Sequence, residues 1–280
     1  TFDKMIHAAT SADVVFLGEE HNNPNAHAFQ TEFLKRIHTF YTQDAESVQP
    51  TTGNCQLSTV NRQLILSMEM FEQDVQIVLD EYLAGLIPEK HFLECSRPWG
   101  NYFTDYRPMI EFARENRIPV VAANVPRRYV NRVSRLGPDA LNDLSRAAKS
   151  WLPPLPYFPA SSEYRAKLEA FGKMMSPHDH SEKGEPESKM PSQMKMHLSH
   201  FIDAQSLWDA AMAFSISESL KRIPGSLVLN INGNFHSEQR MGIPEHLLRY
   251  QPDTSILIIT ILSDPDFDNF NNEFKELGDF

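Results

Sequence analysis

The chain has little of several things that would announce a function at once. It carries 2 cysteines in 280 residues, Cys55 and Cys95, too few for a disulfide framework. One bridge between them is allowed by number, and two unpaired thiols are the alternative. Basic residues are outnumbered, 26 Lys and Arg against 37 Asp and Glu for a net charge of −11. That balance argues against a nucleic-acid partner, because phosphate binding needs a basic face. No apolar run is long enough to span a bilayer. Nor does any Gly-rich phosphate loop, dinucleotide fingerprint or solenoid-length repeat occur. The sequence starts at Thr1 without Met, so any signal peptide or lipid anchor is expected to have been removed from it. What remains is the ordinary apolar and charged content of a globular protein able to bury a full core.

Within that composition one stretch stands out, Asp13-Val-Val-Phe-Leu-Gly-Glu-Glu-His21. Val14 to Leu17 is apolar, of strand length and bounded by Gly18, which reads as a buried parallel strand. In open α/β sheets, ligands bind beyond the carboxyl ends of the strands, where Glu19, Glu20 and His21 follow. The pattern recurs at Leu227 to Ile231, which runs into Asn232-Gly-Asn-Phe-His236, again Gly-x-x-His after an apolar strand. A third run, Leu64 to Met68, delivers Glu69 at its end. A lone Gly-x-x-His is usually a hydrogen-bonded structural residue; two of them with a carboxylate change the reading. If they converge, His21, Glu69 and His236 can hold Zn, Mn or Fe with open positions for water or substrate. Without metal, His21 or His236 can act as a general base oriented by Glu19 or Glu69. These four residues are the candidate catalytic set. There is no nucleophile elbow, and neither cysteine has an evident partner histidine, which leaves covalent acyl transfer poorly supported.

Along the rest of the chain strands alternate with helices. Residues 1–10 and 26–41 carry apolar side chains at helical spacing, and Pro24 starts the second helix. His21 therefore lies between a strand and a helix N-terminus, a position that favours an anionic ligand group. His27 and His38 on that helix read as surface or packing residues. Residues 43–62 form a polar excursion. Helices are expected over 73–86 and 108–116, then a strand from Ile118 to Ala123 with Asn124 at its rim. Arg127 and Arg128 follow, able to hold carboxylates bidentately or to sit on a solvated helix turn.

Residues 137–200 are the irregular part, read as a helical, partly mobile lid. Trp151 to Pro159 cannot continue a helix, and 176–193 is short of apolar residues. Its tip mixes His178, His180, Met190, Met194, Met196, His197 and His200, a set able to bind soft metal or iron, or else an exposed loop with incidental histidines. A long helix returns over 201–223, with Gln205 and Asp209 one turn apart facing either rim or solvent. Ser255 to Leu262 is a last apolar strand, and an acidic tail, 263–280, is expected to fray. The fold class is α/β, a mostly parallel central sheet flanked by helices, with a core of 1–136 and 201–262 and the lid inserted between.

A family resemblance becomes specific here. Leu17-Gly-Glu-Glu-His21 with Asn22 to Pro24, Met68-Glu-Met-Phe71 with Gln73, and Ala122-Ala-Asn124 carry its first half. Ala204-Gln205 with Trp208-Asp209 and Met212-Ala213, and Gly233-Asn-Phe-His236 with Gly242-Ile-Pro244, carry the second. In order and spacing they resemble the ChaN-like haem-binding family, and more distantly the Tiki/TraB metalloproteases and erythromycin esterases. The resemblance implies a bacterial, exported and lipid-anchored protein of the cell envelope, serving haem and iron acquisition beside outer-membrane uptake machinery. It implies haem as cofactor and a dimer that pairs two haems. It also implies tyrosine ligation of the iron, for which Tyr102, Tyr106, Tyr157 and Tyr164 are the candidates beside Trp99, Trp151, Phe103 and Phe158. Each of these tyrosines also fits a packing role. Lid histidines are rival ligands, and Arg127 or Arg128 are placed to meet propionates. The alternative reading is a hydrolase of the Tiki or esterase kind, using a divalent metal ion or acid–base chemistry at the rim.

Overall fold

The structure, a computed structural model, describes residues 1–47, 62–175, 192–264, 266 and 271–280. Helix α1 (Phe2–Ala9) leads into β1 (Val14–Glu19), and α2 (Pro24–Ser47) follows. Then come β2 (Leu64–Glu72), α3 (Gln76–Leu83), α4 (Glu89–Ser96), α5 (Arg107–Glu115) and β3 (Val120–Asn124). Helices α6 (Arg127–Leu136), α7 (Arg146–Lys149) and α8 (Ser162–Met175) lead to the long α9 (Ser192–Arg222). The described chain closes with β4 (Leu227–Gly233), α10 (Ile243–Tyr250) and β5 (Ile256–Thr260).

All four strand pairings are parallel, in a five-stranded sheet ordered β3-β2-β4-β1-β5. The five apolar runs of the sequence are its five strands. Both faces are covered, which is why the strands read as continuous apolar runs rather than as alternation. Within β1, Val15 and Leu17 join the core under α1, α2 and α5, whereas Val14 and Phe16 join the core under α9 and α10. Each such fully buried aliphatic side chain contributes about 1.5–3 kcal/mol of burial free energy.

The central trio β2, β4 and β1 positions the site, because their carboxyl ends share one rim. Glu19 is in register with Gly233, and Met68 with Ile231. β2 runs on to Glu72, past its last pairing with β4, and its pairing with β3 shifts register between Met68 and Glu72. Glu69 thus leaves the sheet on a strand extension rather than at a strand end.

Two further expectations are modified, and two fall outside the described residues. The lid is helical, but α9 starts at Ser192 and crosses the expected boundary at 200 without a break. Its tip, with His178, His180 and Met190, lies outside the described residues, as do Cys55 and hence any pairing of it with Cys95. The last residues do not fray: Asp279 N–H donates to Ile258 O at 2.8 Å, Phe280 O accepts from Thr260 N at 3.0 Å, and Arg240 holds the Asp279 carboxylate at 2.7 and 2.9 Å. The open hydrogen-bonding edge of β5 is what the acidic tail satisfies.

Candidate active site at the sheet rim

Two histidine–carboxylate pairs face each other across the rim. His21 Nδ1 lies 3.0 Å from Glu19 Oε1, and His236 Nδ1 lies 2.6 Å from Asp209 Oδ1. Glu69 stands between them. Its Oε2 accepts the Gly233 N–H at 2.7 Å, and its Oε1 is 3.9 Å from His236 Nε2. A Cβ built on Gly233 would lie 2.8 Å from the Cε1 and Nε2 of His21 and 3.7 Å from Glu69 Oε2. Glycine at 233 is therefore what lets the His21 ring come down onto β4. Asp209 comes from α9 and faces the rim, which decides between the two orientations open for it in the sequence.

Electrostatics follow from burial and these partners. Burial alone would push the Glu19 carboxyl up; hydrogen bonds from His21, His27 and Tyr106 outweigh it and hold the group at about 2. Burial would push His236 down, but the charges of Asp209 and Glu69 and the Asp209 hydrogen bond raise it to about 9. His21 is likewise raised, burial being outweighed by the Glu19 hydrogen bond and the charge of Glu69. At neutral pH the rim therefore holds His236 as a buried imidazolium between two carboxylates, able to donate a proton, and a half-buried His21 whose Nδ1 is fixed by Glu19 and whose charged form the neighbouring carboxylates favour.

The surrounding shell explains how the pairs keep their geometry. Tyr106 OH donates to Glu19 Oε1 at 2.6 Å, and Tyr164 OH donates to Asp209 Oδ2 at 2.8 Å. His27, 3 % exposed, lies 3.4 Å from both Glu19 Oε2 and Asp105 Oδ2. Asn101 donates to the His21 carbonyl at 3.1 Å and to Asp105 at 2.6 Å. Asn124 donates to the Glu69 carbonyl at 3.1 Å. Under the rim, Ser67, Asn230, Asn232 and Ser237 form a buried hydrogen-bonded chain that fixes the turn carrying His236. The anion site expected at the start of α2 is taken by the chain itself, since Asn23 Oδ1 accepts from the N–H groups of Asn25 and Ala26.

Of the residues singled out in the sequence, Glu19, His21, Glu69 and His236 come together. Yet among the described residues no group of three or more His, Cys, Asp or Glu is arranged to hold a metal ion. The donor atoms are instead spent on the two pairs and on the Gly233 N–H. Three of the four tyrosine hydroxyls are hydrogen-bonded, and that of Tyr102 is buried without a partner. Tyr102 is packed against Phe71 and Phe92, Tyr157 donates to the Asp203 carbonyl at 2.8 Å, and Tyr106 and Tyr164 serve the carboxylates. Arg128 pairs with Asp74, and Arg97 bridges Glu72 and Asp74. Arg127 is 66 % exposed, its pairing to Glu72 is long at 4.0 Å, and its guanidinium lies 5.8 Å from the Trp99 ring. Trp99 in turn meets the His21 ring edge-on at 4.8 Å. An imidazole, an indole and an arginine thus lie side by side, the kinds of nitrogen donor, apolar surface and cation that a haem can use. The pairings of Asp209 with His236, of Tyr106 and Tyr164 with the two carboxylates, and of His27 with Glu19 were not read from the sequence. The Asp209 spacing on α9 was visible there, but nothing local marked its pairing with His236.

Comparisons with known proteins agree with this architecture. A family model described as haem-binding uptake, Tiki superfamily, ChaN, matches residues 5–247. Among solved structures, the chain is similar to one of ChaN of Campylobacter jejuni with cofacially bound haem, at 17 % identity and a TM-score of 0.67, covering 100 % of this chain and 90 % of that one. It is also similar to an erythromycin esterase mutant in its open conformation, at 11 % identity and a TM-score of 0.45, covering 92 % of this chain and 72 % of that one. No curated protein matches the chain.

Proposed function

This chain belongs to the haem-binding uptake family of the Tiki superfamily that includes ChaN, and from that premise we propose that it binds haem and serves bacterial haem and iron acquisition. The family match over residues 5–247 carries this reading. The rim supports it, since it offers one half-exposed imidazole with its other nitrogen on a carboxylate, beside an indole and a loosely paired arginine. Arg127 would meet a propionate, and Trp99 would lie against the macrocycle. A bound haem would supply an iron centre, while the chain's own residues orient the donor and keep His236 charged behind it. We propose for it a location in the cell envelope, export and lipid anchoring of the precursor, and work beside outer-membrane uptake machinery. A homodimer that brings two haems together belongs to the same reading. Absorption titration with haem is expected to give a saturable spectral change, and deletion in the parent bacterium to impair growth on haem as sole iron source. A chain that leaves the haem spectrum as it is in buffer, with unimpaired growth of the deletion strain, would sink the proposal.

A further inference from the structure

We propose that residues 277–280 form a strap that holds the turn carrying His236 in shape, which couples the outer edge of β5 to the rim. The turn runs from His236 to Gly242. Two consecutive residues in it, Gln239 at φ 60° and Arg240 at φ 61°, adopt the left-handed conformation. A non-glycine residue persists in that region only where its surroundings hold it there. Both of these are held by the strap. Gln239 N–H donates to Leu277 O at 2.9 Å, and the Arg240 guanidinium grips the Asp279 carboxylate at 2.7 and 2.9 Å. From the turn the strap continues along β5. Thr260 N–H donates to Phe280 O at 3.0 Å, and the N–H groups of Asp279 and Phe280 reach Ile258 O at 2.8 and 3.3 Å. Gly278 lets it lie that close, since a Cβ there would be 2.9 Å from both Ile258 O and Thr260 Oγ1.

The inner half of the turn is fixed from within the fold. Asn232 donates to Ser237 Oγ at 2.9 Å, and Lys167 of α8 meets Phe235 O at 3.2 Å and Glu238 at 2.8 Å. The strained pair lies beyond these contacts, where the strap meets it. At the far end Gly242 closes the turn against the site itself. A Cβ there would lie 2.5 Å from His236 O and 3.1 Å from Tyr164 OH, the hydroxyl that holds Asp209. Relaxation of Gln239 and Arg240 out of the left-handed region therefore moves the chain where it abuts both His236 and the partner of its carboxylate. The strap is also easily released. No residue of 272–276 is buried, and the Arg240 side chain is 49 % exposed, so its ion pair is a weak one in water. A segment held by backbone hydrogen bonds on an exposed edge, without apolar burial, belongs to the low-stability end of a fold. An extended chain that takes the β5 edge must displace the strap, and so changes the rim without touching it.

The test compares the full chain with variants by amide hydrogen exchange and by the His236 ring Nδ1–H resonance in NMR spectra. Gly278→Val is aimed at the close approach to β5 and Arg240→Gln at the ion pair, while Lys275→Ala is an exposed change on the same segment. The first two are expected to speed exchange of the Thr260 N–H, the mark of a released strap, by at least about tenfold. They should also speed exchange at Ser237 and Met241, whose N–H groups bond within the turn and not to the strap, and shift the His236 resonance. Lys275→Ala should change none of these. Thermal melts control for global loss of fold, and if Gly278→Val does not fold, Arg240→Gln decides. A released strap with Ser237, Met241 and the His236 resonance as in the native chain overturns the coupling. A Thr260 N–H that stays protected in the folded variants overturns the strap itself.

Discussion

Replacing Asp209 with Asn keeps the shape of the side chain behind the rim and removes its charge together with one of its two acceptor oxygens. His236 Nδ1 meets Asp209 Oδ1 at 2.6 Å with both residues buried, and the imidazole titrates at about 9 instead of 6.5. A rise of that size corresponds to about 3 kcal/mol of folding free energy. A base held higher in the folded than in the unfolded chain lends its whole contribution below 6.5 and loses it as pH rises through about 9. The native protein is therefore expected to lose about 3 kcal/mol from this group between those values. Asp209→Asn should lie well below the native protein at about pH 6 and close to it at about pH 10, Glu69 retaining part of the effect. Asn has one acceptor oxygen where Asp209 gives one to His236 and the other to Tyr164, so Tyr164→Phe is measured beside it to separate that contact. Denaturant unfolding of both proteins at the two pH values gives the difference, and the His236 ring resonance in an NMR titration identifies the group. A native–variant gap of equal size at both pH values would refute the reasoning.

Other expectations follow from the same geometry. His246 is fully buried, 3.3 Å from Ser206 Oγ, and burial pushes it down to about 4. Its contribution is present above 6.5 and lost as pH falls from there towards 4, because the unfolded chain takes the proton first. His246→Gln should shrink that acid-side loss in thermal melts compared at about pH 7 and pH 4.5, and an unchanged loss would count against it. Gly233→Ala places a methyl 2.8 Å from the His21 ring, for which overpacking costs about 1–3 kcal/mol. Its denaturation midpoint should fall and its haem spectrum change, whereas a variant as stable as the native chain would mean that the ring moves aside freely.

The sheet was legible in the sequence because each strand is buried on both faces and so appears as an uninterrupted apolar run between polar or Gly-containing turns. The rim acids and histidines were legible for a related reason, since a residue just past a strand end has its position dictated by the sheet. What sits on helices was harder to read. Asp209 lies on a helix whose apolar residues cover most of its circumference, so periodicity could not show which face met His236. Tyr106 and Tyr164 were visible as aromatics in an irregular region, but a tyrosine that serves a carboxylate and one that serves iron have the same sequence signature. His27, read as surface or packing, is inserted between two carboxylates that are distant from each other in sequence. The docking of the last residues was missed because their hydrogen bonds are made by the backbone and by Asp279, and an acidic composition does not reveal an open strand edge.

Haem capture by this chain is tested most directly by sedimentation velocity of the purified protein with increasing haem, followed at the haem absorption band. The account predicts haem absorbance that travels with the protein and saturates at one haem per chain, in a boundary that moves faster than the haem-free chain as two copies pair. Haem that sediments apart from the protein at every ratio would contradict it.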